Sequence, residues 1–375
     1  MKSLLSLCVL LLSWQVTGSQ EHYLLVGTYD SPKSEGIHVF RFHTATGTAT
    51  SVSQTRTPNP SFLAVSPDEK FVYAVHEIAQ NGKGGEIAAF AFNKSSGNLS
   101  LVNKQSSGGD HPCYVAIDRE GRWVFAGNYS GGNWSVFRVN PDGSLAPADT
   151  TVQHYGSGPN QQRQKNPHVH ATVLSPDNKL VFVTDLGTDK VMSYAFDPET
   201  GNVKATRQGF VLSEPGSGPR HFTFHPTHHY AYLIEELSGT IVMYKFKKAK
   251  SRLKVKQRIT SMPPGDTGFA GSAHIHVSTD GKFLYASNRG HSNTIAVFSI
   301  DRSSGKLTPI QHQAALGHTP RHFTIDPSGQ FLLVGNQNSD EIVVLRRDLE
   351  TGLLFDTGNR VPVGKPVCLV WIRAD

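Results

Sequence analysis

Cysteine is scarce in this chain, which has three cysteines among its 375 residues. Cys8 lies in an N-terminal apolar segment, whereas Cys113 and Cys368 occupy similar positions in two separate copies of an internal repeat. Those copies are not neighbours in the fold that the repeat predicts, so their Cα atoms would lie too far apart for a disulfide. We therefore expect Cys113 and Cys368 to be free thiols.

Several motifs that define enzyme classes are also missing. The sequence has no G-x-S-x-G nucleophile turn, no H-E-x-x-H motif, no Walker loop and no paired C-x-x-C motifs. These absences argue against an α/β-hydrolase, a zinc peptidase of that type and a P-loop nucleotide-binding protein.

Long apolar runs are absent except at the N-terminus. Lys2 precedes a nearly uninterrupted apolar run from Leu4 to Leu12, and Trp14 and several small residues follow it. This order is typical of a secretory signal peptide, and the run is too short to anchor the chain in a bilayer. We expect residues 1–19 to be removed, which would leave a secreted or periplasmic protein without a membrane anchor. The alternative is a buried first strand.

Neither sign of charge dominates, since 36 Lys and Arg against 30 Asp and Glu give a formal net charge of +6. One basic cluster stands out, on a predicted outer hairpin, and it consists of Lys245, Lys247, Lys248, Lys250, Arg252, Lys254, Lys256 and Arg258. The cluster could bind a polyanion, but we favour the simpler interpretation that lysines keep an exposed edge strand soluble. Nothing else suggests nucleic acid, and we expect none to bind.

What the sequence contains in abundance is an internal repeat of about fifty residues, the length of a propeller blade. Each copy has an apolar run, Ser-Pro-Asp or a relative of it, and an alternating aromatic-rich run that ends in two polar residues. Six copies cover residues 60–77, 112–129, 169–186, 219–236, 272–289 and 320–337. A seventh copy is divided between the chain ends, with its first half at 365–371 and its second half at 23–29.

The repeat predicts an all-β protein. Short alternating runs bounded by Gly, Asn, Asp and Pro indicate antiparallel strands joined by hairpins, and no long stretch after the N-terminus keeps a helical period. A four-stranded blade cannot cover its own apolar faces, and pairing both chain ends in one blade removes the open edge. We therefore expect residues 20–375 to form a seven-bladed β-propeller, closed by its N- and C-terminal strands, with a monomer favoured.

The repeat also places the polar residues, because the start of the innermost strand and the end of the second strand lie at the same mouth of the channel. We expect four rings of side chains from these strand ends to crowd that one opening. The residues that break the consensus of their rings, on three consecutive blades, are His170, Arg220, Glu236 and Arg289. Arginine binds carboxylate or phosphate with a planar fork, and histidine transfers protons near neutral pH. We expect an anionic substrate and catalysis by these four residues.

Five further residues are expected to contact the substrate, namely Arg321, His168, Arg163, His221 and Glu77. Arg163 and His168, with Gln164 beside them, lie on the longest insertion of the repeat, where function is common, although a plain exposed loop is an equal alternative. His221 shares its ring with His274 and His322, which favours a structural role for all three histidines.

A calcium site is the main alternative for the acidic and amide groups at this mouth. Its candidate ligands are Glu77, Asn128, Asp185 and Glu235. The neighbouring arginines would repel the ion, so we expect no metal and no other cofactor. The asparagines that end the second strands are more simply explained as side chains that tie blade loops together. They are Asn128, Asn288 and Asn336.

An ordered set of short motifs runs along the chain. It includes Asn59-Pro60-Ser61-Phe62, Pro112-Cys113-Tyr114-Val115, Asn128-Tyr129-Ser130-Gly131-Gly132, Pro167-His168-Val169-His170, Gly218-Pro219-Arg220-His221, Ser287-Asn288-Arg289-Gly290 and Gly335-Asn336-Gln337. Together these motifs resemble the lactonase family of seven-bladed propellers, which includes bacterial propeller-type 6-phosphogluconolactonases and fungal carboxymuconate cyclases. The resemblance extends over residues 23–373.

The resemblance implies a metal-independent enzyme that acts on an ester ring within an anionic substrate. The fungal cyclases are understood to use a histidine, two arginines and a glutamate, and those motif positions fall on His170, Arg220, Arg289 and Glu236. Two features depart from the family. His274 stands where members usually carry an acidic residue, and the leader would export the enzyme from the compartment where 6-phosphogluconolactone is made.

These observations predict a carboxylic ester hydrolase that opens a sugar lactone. His170 would take a proton from the attacking water, and Arg220 and Arg289, assisted by Arg321, would hold the oxyanion and the anionic group. Glu236 would either orient these side chains or protonate the leaving ring oxygen. Two alternatives stay open, a cyclase that forms a lactone from a muconate-like acid and a secreted propeller that binds a partner without catalysis.

Overall fold

The computed structural model describes residues 21–79 and 84–374, and these residues form seven four-stranded antiparallel sheets arranged as blades. Blade 1 contains β4 (Leu63–Val65), β5 (Phe71–His76), β6 (Glu86–Asn93) and β7 (Asn98–Ser106). Blade 2 contains β8 (Pro112–Ile117), β9 (Trp123–Asn128), β10 (Asn133–Val139) and β11 (Leu145–Gln153). Blade 3 contains β12 (Val169–Leu174), β13 (Leu180–Asp185), β14 (Lys190–Phe196) and β15 (Val203–Leu212).

Blade 4 contains β16 (Pro219–Phe224), β17 (Tyr230–Glu235), β18 (Thr240–Lys247) and β19 (Arg252–Thr260), with a 3₁₀ turn at Lys248–Lys250. Blade 5 contains β20 (Ser272–Val277), β21 (Phe283–Asn288), β22 (Thr294–Ile300) and β23 (Leu307–Ala314). Blade 6 contains β24 (Pro320–Ile325), β25 (Phe331–Asn336), β26 (Glu341–Arg347) and β27 (Leu354–Pro362). Blade 7 contains β28 (Pro366–Arg373), β1 (Glu21–Thr28), β2 (Ile37–His43) and β3 (Thr48–Thr55).

Blade 7 closes the ring, because β28 pairs with β1 in an antiparallel register that sets Leu24 opposite Trp371 and Leu25 opposite Val370. The C-terminal strand is therefore innermost and the N-terminal strand lies second. This arrangement confirms the seven-bladed propeller and the divided seventh repeat that the sequence predicts.

The Ser-Pro-Asp signature of the repeat forms the turn between the two inner strands of a blade. In blade 1 the Ser66 hydroxyl donates to the Asp68 carboxylate at 2.6 Å and accepts from the backbone N–H of Phe71 at 2.9 Å. The same serine-to-aspartate bond, also 2.6 Å long, recurs between Ser175 and Asp177 and between Ser278 and Asp280. The serine and aspartate side chains thus form hydrogen bonds within the turn, where backbone groups have no partner in the sheet.

Apolar packing between blades holds the ring together. Seven clusters of buried side chains each join two adjacent blades, and the cluster that contains Tyr23 and Phe90 joins blade 7 to blade 1. Second strands such as β17 are buried along their whole length because neighbouring blades cover both faces. Burial of one large apolar side chain contributes about 1.5–3 kcal/mol, so each interface depends on its neighbours on both sides.

Several smaller expectations are also tested by the fold. Cys113 and Cys368 are buried free thiols, as expected. Side-chain amides at the ends of second strands do tie loops together, since the Asn128, Asn288 and Asn336 amides donate to the carbonyls of Ser107, Ser261 and Ala315. The expected signal peptide lies outside the described residues. Among those residues, no helix has the length and apolar character needed to cross a bilayer.

The buried thiols give a direct test. Burial raises the pKa of Cys113 and brings that of Cys368 to about 12, so both should resist a thiol reagent in the folded protein at mildly alkaline pH. After denaturation, colorimetric titration should find two thiols if the leader with Cys8 has been removed and three if it is retained. A thiol that reacts rapidly in the folded protein would contradict this account.

Candidate functional site

One mouth of the central channel opens into a cavity of about 560 Å³ that is lined by charged and aromatic side chains. Its lining comes from innermost strands, from residues that follow second strands and from loops. It consists of Tyr29, Glu77, Cys113, Tyr129, Arg163, His170, Glu236, Phe269, Gly271, Arg289, Gly290, Thr319 and Arg321. The volume suits a small molecule rather than a polymer segment.

A β-bulge at the start of the innermost strand aims side chains at this cavity. In blade 3 Val169 pairs with Asp185 and Ala171 with Thr184, which leaves His170 as the extra residue. The same register shift leaves an unpaired extra residue in three other blades, namely Cys113 in blade 2, Arg220 in blade 4 and Arg321 in blade 6. Bulges commonly redirect a side chain next to a functional site, and here they occur at the repeat position that carries the candidate residues.

Glu236 is the centre of the charge arrangement. It follows β17, is only 5% exposed, and its Oε2 accepts from Arg220 Nε at 2.9 Å and lies 2.8 Å from Arg289 Nη2. Its Oε1 accepts from Arg163 Nη2 at 2.6 Å. Burial alone would raise the pKa of Glu236, but Arg289, Arg220 and neighbouring cations hold it well below its usual range. Glu236 is therefore ionised at neutral pH.

Arg220 lies beneath the cavity floor and is 1% exposed. One of its guanidinium nitrogens donates to the carbonyl of Ala273 in blade 5, while Nε binds Glu236. Burial and the nearby charges of Arg289 and Arg321 lower the pKa of Arg220 to about 9, so the group remains protonated at neutral pH. The structure brings Arg220 next to the site without placing it in the cavity lining.

His170 faces the cavity and is 4% exposed. Its Nδ1 lies 3.8 Å from the Sγ of Cys113, and the ring of Tyr129 packs edge-on with centroids 5.5 Å apart. Burial and then the Arg220 guanidinium lower the pKa of His170 well below its ordinary value. His170 is therefore neutral at neutral pH and has a nitrogen lone pair that can accept a proton.

Arg321 is the cavity arginine whose charge is least compensated. Among the described residues it forms no ion pair, and its guanidinium lies over the ring of Tyr29 at 5.2 Å. The Tyr29 hydroxyl donates instead to Glu77 Oε2 at 2.7 Å, and Ser61 donates to the same oxygen. Burial opposes the charge of Arg321, but Tyr29 and Glu77 raise its pKa. A permanently charged donor therefore faces the cavity with capacity for an anionic ligand.

The long loop between β11 and β12 brings Arg163 into the cavity, where its guanidinium also donates to the Tyr129 hydroxyl at 3.1 Å. His168 lies behind Tyr129 rather than in the lining, since the two rings stack at 4.4 Å. Gln164 is buried and donates to the Leu186 carbonyl and to Asp189, so it anchors the loop and is not a rim residue.

His221 lies one layer deeper than the cavity. Its Nδ1 is 2.9 Å from Nδ1 of His274, its ring meets His170 at 5.3 Å, and its Nε2 has no hydrogen-bond partner among the described residues. The rings of His274 and His322 lie 3.9 Å apart and continue this layer across the channel.

The expectation that four rings share one opening was therefore wrong for two of them. The ring of His221 forms the layer below the cavity, because the bulge lets two successive residues face the channel at different depths. The ring of Asn128, Asp185 and Glu235 is buried within the blades and their loops. Two rings supply cavity residues, namely the ring of His170 and Arg321 and the ring of Glu236 and Arg289.

Phe269 was not anticipated from the sequence. It lines the cavity while 58% exposed, and it lies on the loop between β19 and β20. An aromatic residue in a Gly-rich and Pro-rich loop beside a predicted mouth is the signal that could have identified it. Tyr29 and Tyr129 belonged to an aligned ring but were assigned no role.

In the described part of the chain, no group of three or more His, Cys, Asp or Glu side chains is arranged to hold a metal ion. Of the calcium ligands considered from the sequence, only Glu77 lines the cavity, and its Oε2 already accepts from Tyr29 and Ser61.

Comparisons with known proteins give consistent results. Residues 23–371 match the family model described as lactonase, 7-bladed beta-propeller. The 6-phosphogluconolactonase of Formosa agariphila is 39% identical over 335 residues, which cover 88% of this chain and 94% of that protein. The 6-phosphogluconolactonase of Bacillus subtilis is 34% identical, and the match covers 93% of this chain and 97% of that protein. The solved structure of the periplasmic gluconolactonase of Pseudomonas aeruginosa superposes with a TM-score of 0.90 at 37% identity. The superposition covers 95% of this chain and 100% of that one. The resemblance inferred from the motifs is confirmed.

The histidine layer of His221, His274 and His322, with His276 beside it at 6.1 Å from the ring of His274, predicts a marked acid sensitivity of the fold. Burial lowers the pKa of His276 to about 4 and that of His322 to about 3, from an ordinary 6.5. Below pH 6.5 the unfolded chain takes up protons that the folded chain does not, so stability falls from there towards those lower values. Each such histidine contributes a slope of about 1.4 kcal/mol per pH unit.

Denaturant unfolding between neutral and mildly acidic pH measures this slope. His322→Gln should flatten it by about one proton's contribution, whereas the same change at exposed His318 should leave it unaltered. Equal slopes for the two variants would contradict the assignment.

Proposed function

The chain belongs to the seven-bladed β-propeller lactonase family, and on that premise we propose that it hydrolyses an anionic sugar lactone in the cavity lined by His170, Arg289 and Arg321. The enzyme class, a carboxylic ester hydrolase of the lactonase type, follows from the family. The substrate and the roles of individual residues are the proposal.

The charge of the cavity is the observation that carries the proposal. Four guanidinium groups, those of Arg163, Arg220, Arg289 and Arg321, surround or underlie the cavity, against the carboxylates of Glu77 and Glu236, so two positive charges are uncompensated. His170 adds none because it is neutral at rest. A substrate that carries a phosphate dianion would balance this charge, and 6-phosphogluconolactone is of that class.

In the proposed reaction His170 accepts a proton from water as the oxygen attacks the lactone carbonyl. Arg289 stabilises the oxyanion that develops there, and a single donor of this kind contributes about 3–4 kcal/mol to catalysis. The ring C–O bond then breaks and the protonated His170 returns its proton to the leaving oxygen. His170 thus acts first as a base and then as an acid, and it ends the cycle in its initial protonation state.

Glu236 acts in this scheme as a positioning residue. Its pKa is held well below the usual range, so it has no proton to give to a leaving oxygen at neutral pH. Its two oxygens instead fix the guanidinium groups of Arg163, Arg220 and Arg289. This favours the orienting role over the acid role that the sequence left open.

An unphosphorylated gluconolactone is the second candidate substrate. The predicted leader would carry the enzyme out of the compartment that makes 6-phosphogluconolactone, and a periplasmic gluconolactonase is among the similar structures. In that case the protein would be secreted or periplasmic, and Arg321 would bind hydroxyl groups of the lactone or the carboxylate of its hydrolysis product instead of phosphate.

Replacement of His170 tests the chemistry. We expect the mature chain to hydrolyse a sugar lactone with or without chelator, and His170→Ala to lower kcat by about 10²- to 10⁴-fold because the general base is lost. His318→Ala, which removes an exposed histidine, is the matched control and should keep full activity. Full turnover in the His170 variant would refute the assignment.

The wild-type chain decides between the alternative functions. If it closes muconate-like acids but opens no sugar lactone, the cyclase is favoured. If it is inert towards every lactone, the binding module is favoured.

Replacement of Arg321 tests the substrate class. Arg321→Gln should raise KM for 6-phosphogluconolactone by about 10- to 100-fold, because a charge-assisted bond to phosphate is lost. The effect on unphosphorylated gluconolactone should be much smaller, and Arg302→Gln, on an exposed turn, should change neither value. An equal fall in kcat for both substrates would instead assign Arg321 to the reacting carbonyl.

A further inference from the structure

The outer hairpin of blade 4 carries an unusual concentration of positive charge. Eight cations lie on β18, the 3₁₀ turn and β19, and all are exposed, namely Lys245, Lys247, Lys248, Lys250, Arg252, Lys254, Lys256 and Arg258. We call residues 245–258 the cationic hairpin. It lies at the outer rim of the ring, since β19 is the outermost strand of its sheet and the active-site cavity lines the channel.

The other six blades show that an outer edge in this fold does not need lysines. Their outermost strands, β3, β7, β11, β15, β23 and β27, carry at most two charged residues each, and β3 and β23 carry none. β19 carries four cations and no acid. Protection of the edge strand, the interpretation favoured by the sequence alone, therefore does not account for the hairpin.

The hairpin also places like charges directly opposite each other. Lys245 pairs with Lys254 and Lys247 pairs with Arg252 across the two strands. Side chains of such cross-strand pairs start about 5 Å apart, and like charges there destabilise a sheet. The four cations form a compact block that repels itself, a cost that selection for folding alone would remove.

Few acidic side chains compensate this charge. In the part of the chain that the structure describes, only Lys248 and Arg258 of the eight have carboxylate partners, Asp177 at 3.4 Å and Glu214 at 3.2 Å. The other six cations face solvent without an ion pair, and an external anion could neutralise them.

We propose that the cationic hairpin binds a linear acidic polysaccharide. From Arg252 to Arg258 the alternate cations of β19 extend over about 20 Å, which fits an extended chain of regularly spaced carboxylates or sulfates better than one small anion. Insertion into a membrane surface would require exposed apolar side chains, and single-stranded nucleic acid would require exposed aromatics. Within the described residues 245–258 no large apolar or aromatic side chain is exposed, and Phe246 is buried. This surface acts independently of the lactonase cavity.

Affinity for defined polymers tests the proposal. The full mature chain should bind alginate or dextran sulfate, not neutral dextran, with an affinity that falls steeply between about 50 and 200 mM salt. The variant with Lys245, Lys247, Arg252 and Lys254 changed to Gln should bind at least about tenfold more weakly. The control changes three lysines and one arginine on other blades to Gln, namely Lys70, Lys282, Lys306 and Arg302, and removes the same charge.

Each outcome is decisive when lactonase activity and the unfolding midpoint are measured alongside. Selective loss in the hairpin variant, with unchanged activity and an unfolding midpoint that is equal or higher at low salt, supports the proposal. Equal weakening in both variants would show that net charge alone is responsible and would overturn it. Tighter binding of duplex DNA or of anionic vesicles than of either acidic polysaccharide, or aggregation of the hairpin variant without a change in affinity, would overturn it as well.

Discussion

The pairing of β28 with β1 is the constraint on which the rest of the structure depends. Each blade buries both faces against its neighbours, so a ring with one incomplete blade would leave two apolar interfaces uncovered. Closure also fixes the distance of each blade from the axis. His170 comes from blade 3, Glu236 from blade 4 and Arg321 from blade 6, and they line one cavity only because the ring holds those blades at set angles.

Within that ring a buried carboxylate fixes the positions of the cavity arginines. Glu236 attracts guanidinium groups from blades 4 and 5 and from the loop that precedes blade 3. Four arginines crowded around one cavity would otherwise repel one another. One carboxylate brings three of them into fixed positions and leaves Arg321 to face the cavity. Burial, and after it the Arg220 charge, lowers the pKa of His170 well below its ordinary value, so the proposed general base is neutral at rest.

The fold could be predicted almost completely from the sequence, because the repeat encodes the blade, its turn and its position in the ring. The site could be predicted only in part. His170, Glu236, Arg289 and Arg321 line one cavity as the register argument required, but Arg220 and His221 lie beneath it. The β-bulge, which depends on three-dimensional pairing rather than on residue type, places His221 one layer below the bulged residue. Arg220 is itself the bulged residue, but its guanidinium is bound to Glu236 and to the Ala273 carbonyl. Phe269 was missed because it lies in a loop outside the repeat.

The protein has two clusters of positive charge, one in the channel and one on the outer hairpin. They differ in residue type, and each type suits a different kind of anionic ligand. Inside the channel the cations are arginines, fixed by a carboxylate and by backbone carbonyls, as suits planar recognition of one small anion. On the outer hairpin six of the eight are lysines on flexible stems, which suits a partner whose charges repeat without a fixed geometry. Both groups stand where individual copies of the repeat depart from the others. In a ring of similar blades, folding requires the features that the copies share. The departures that folding does not require are therefore the places where we propose that ligands bind.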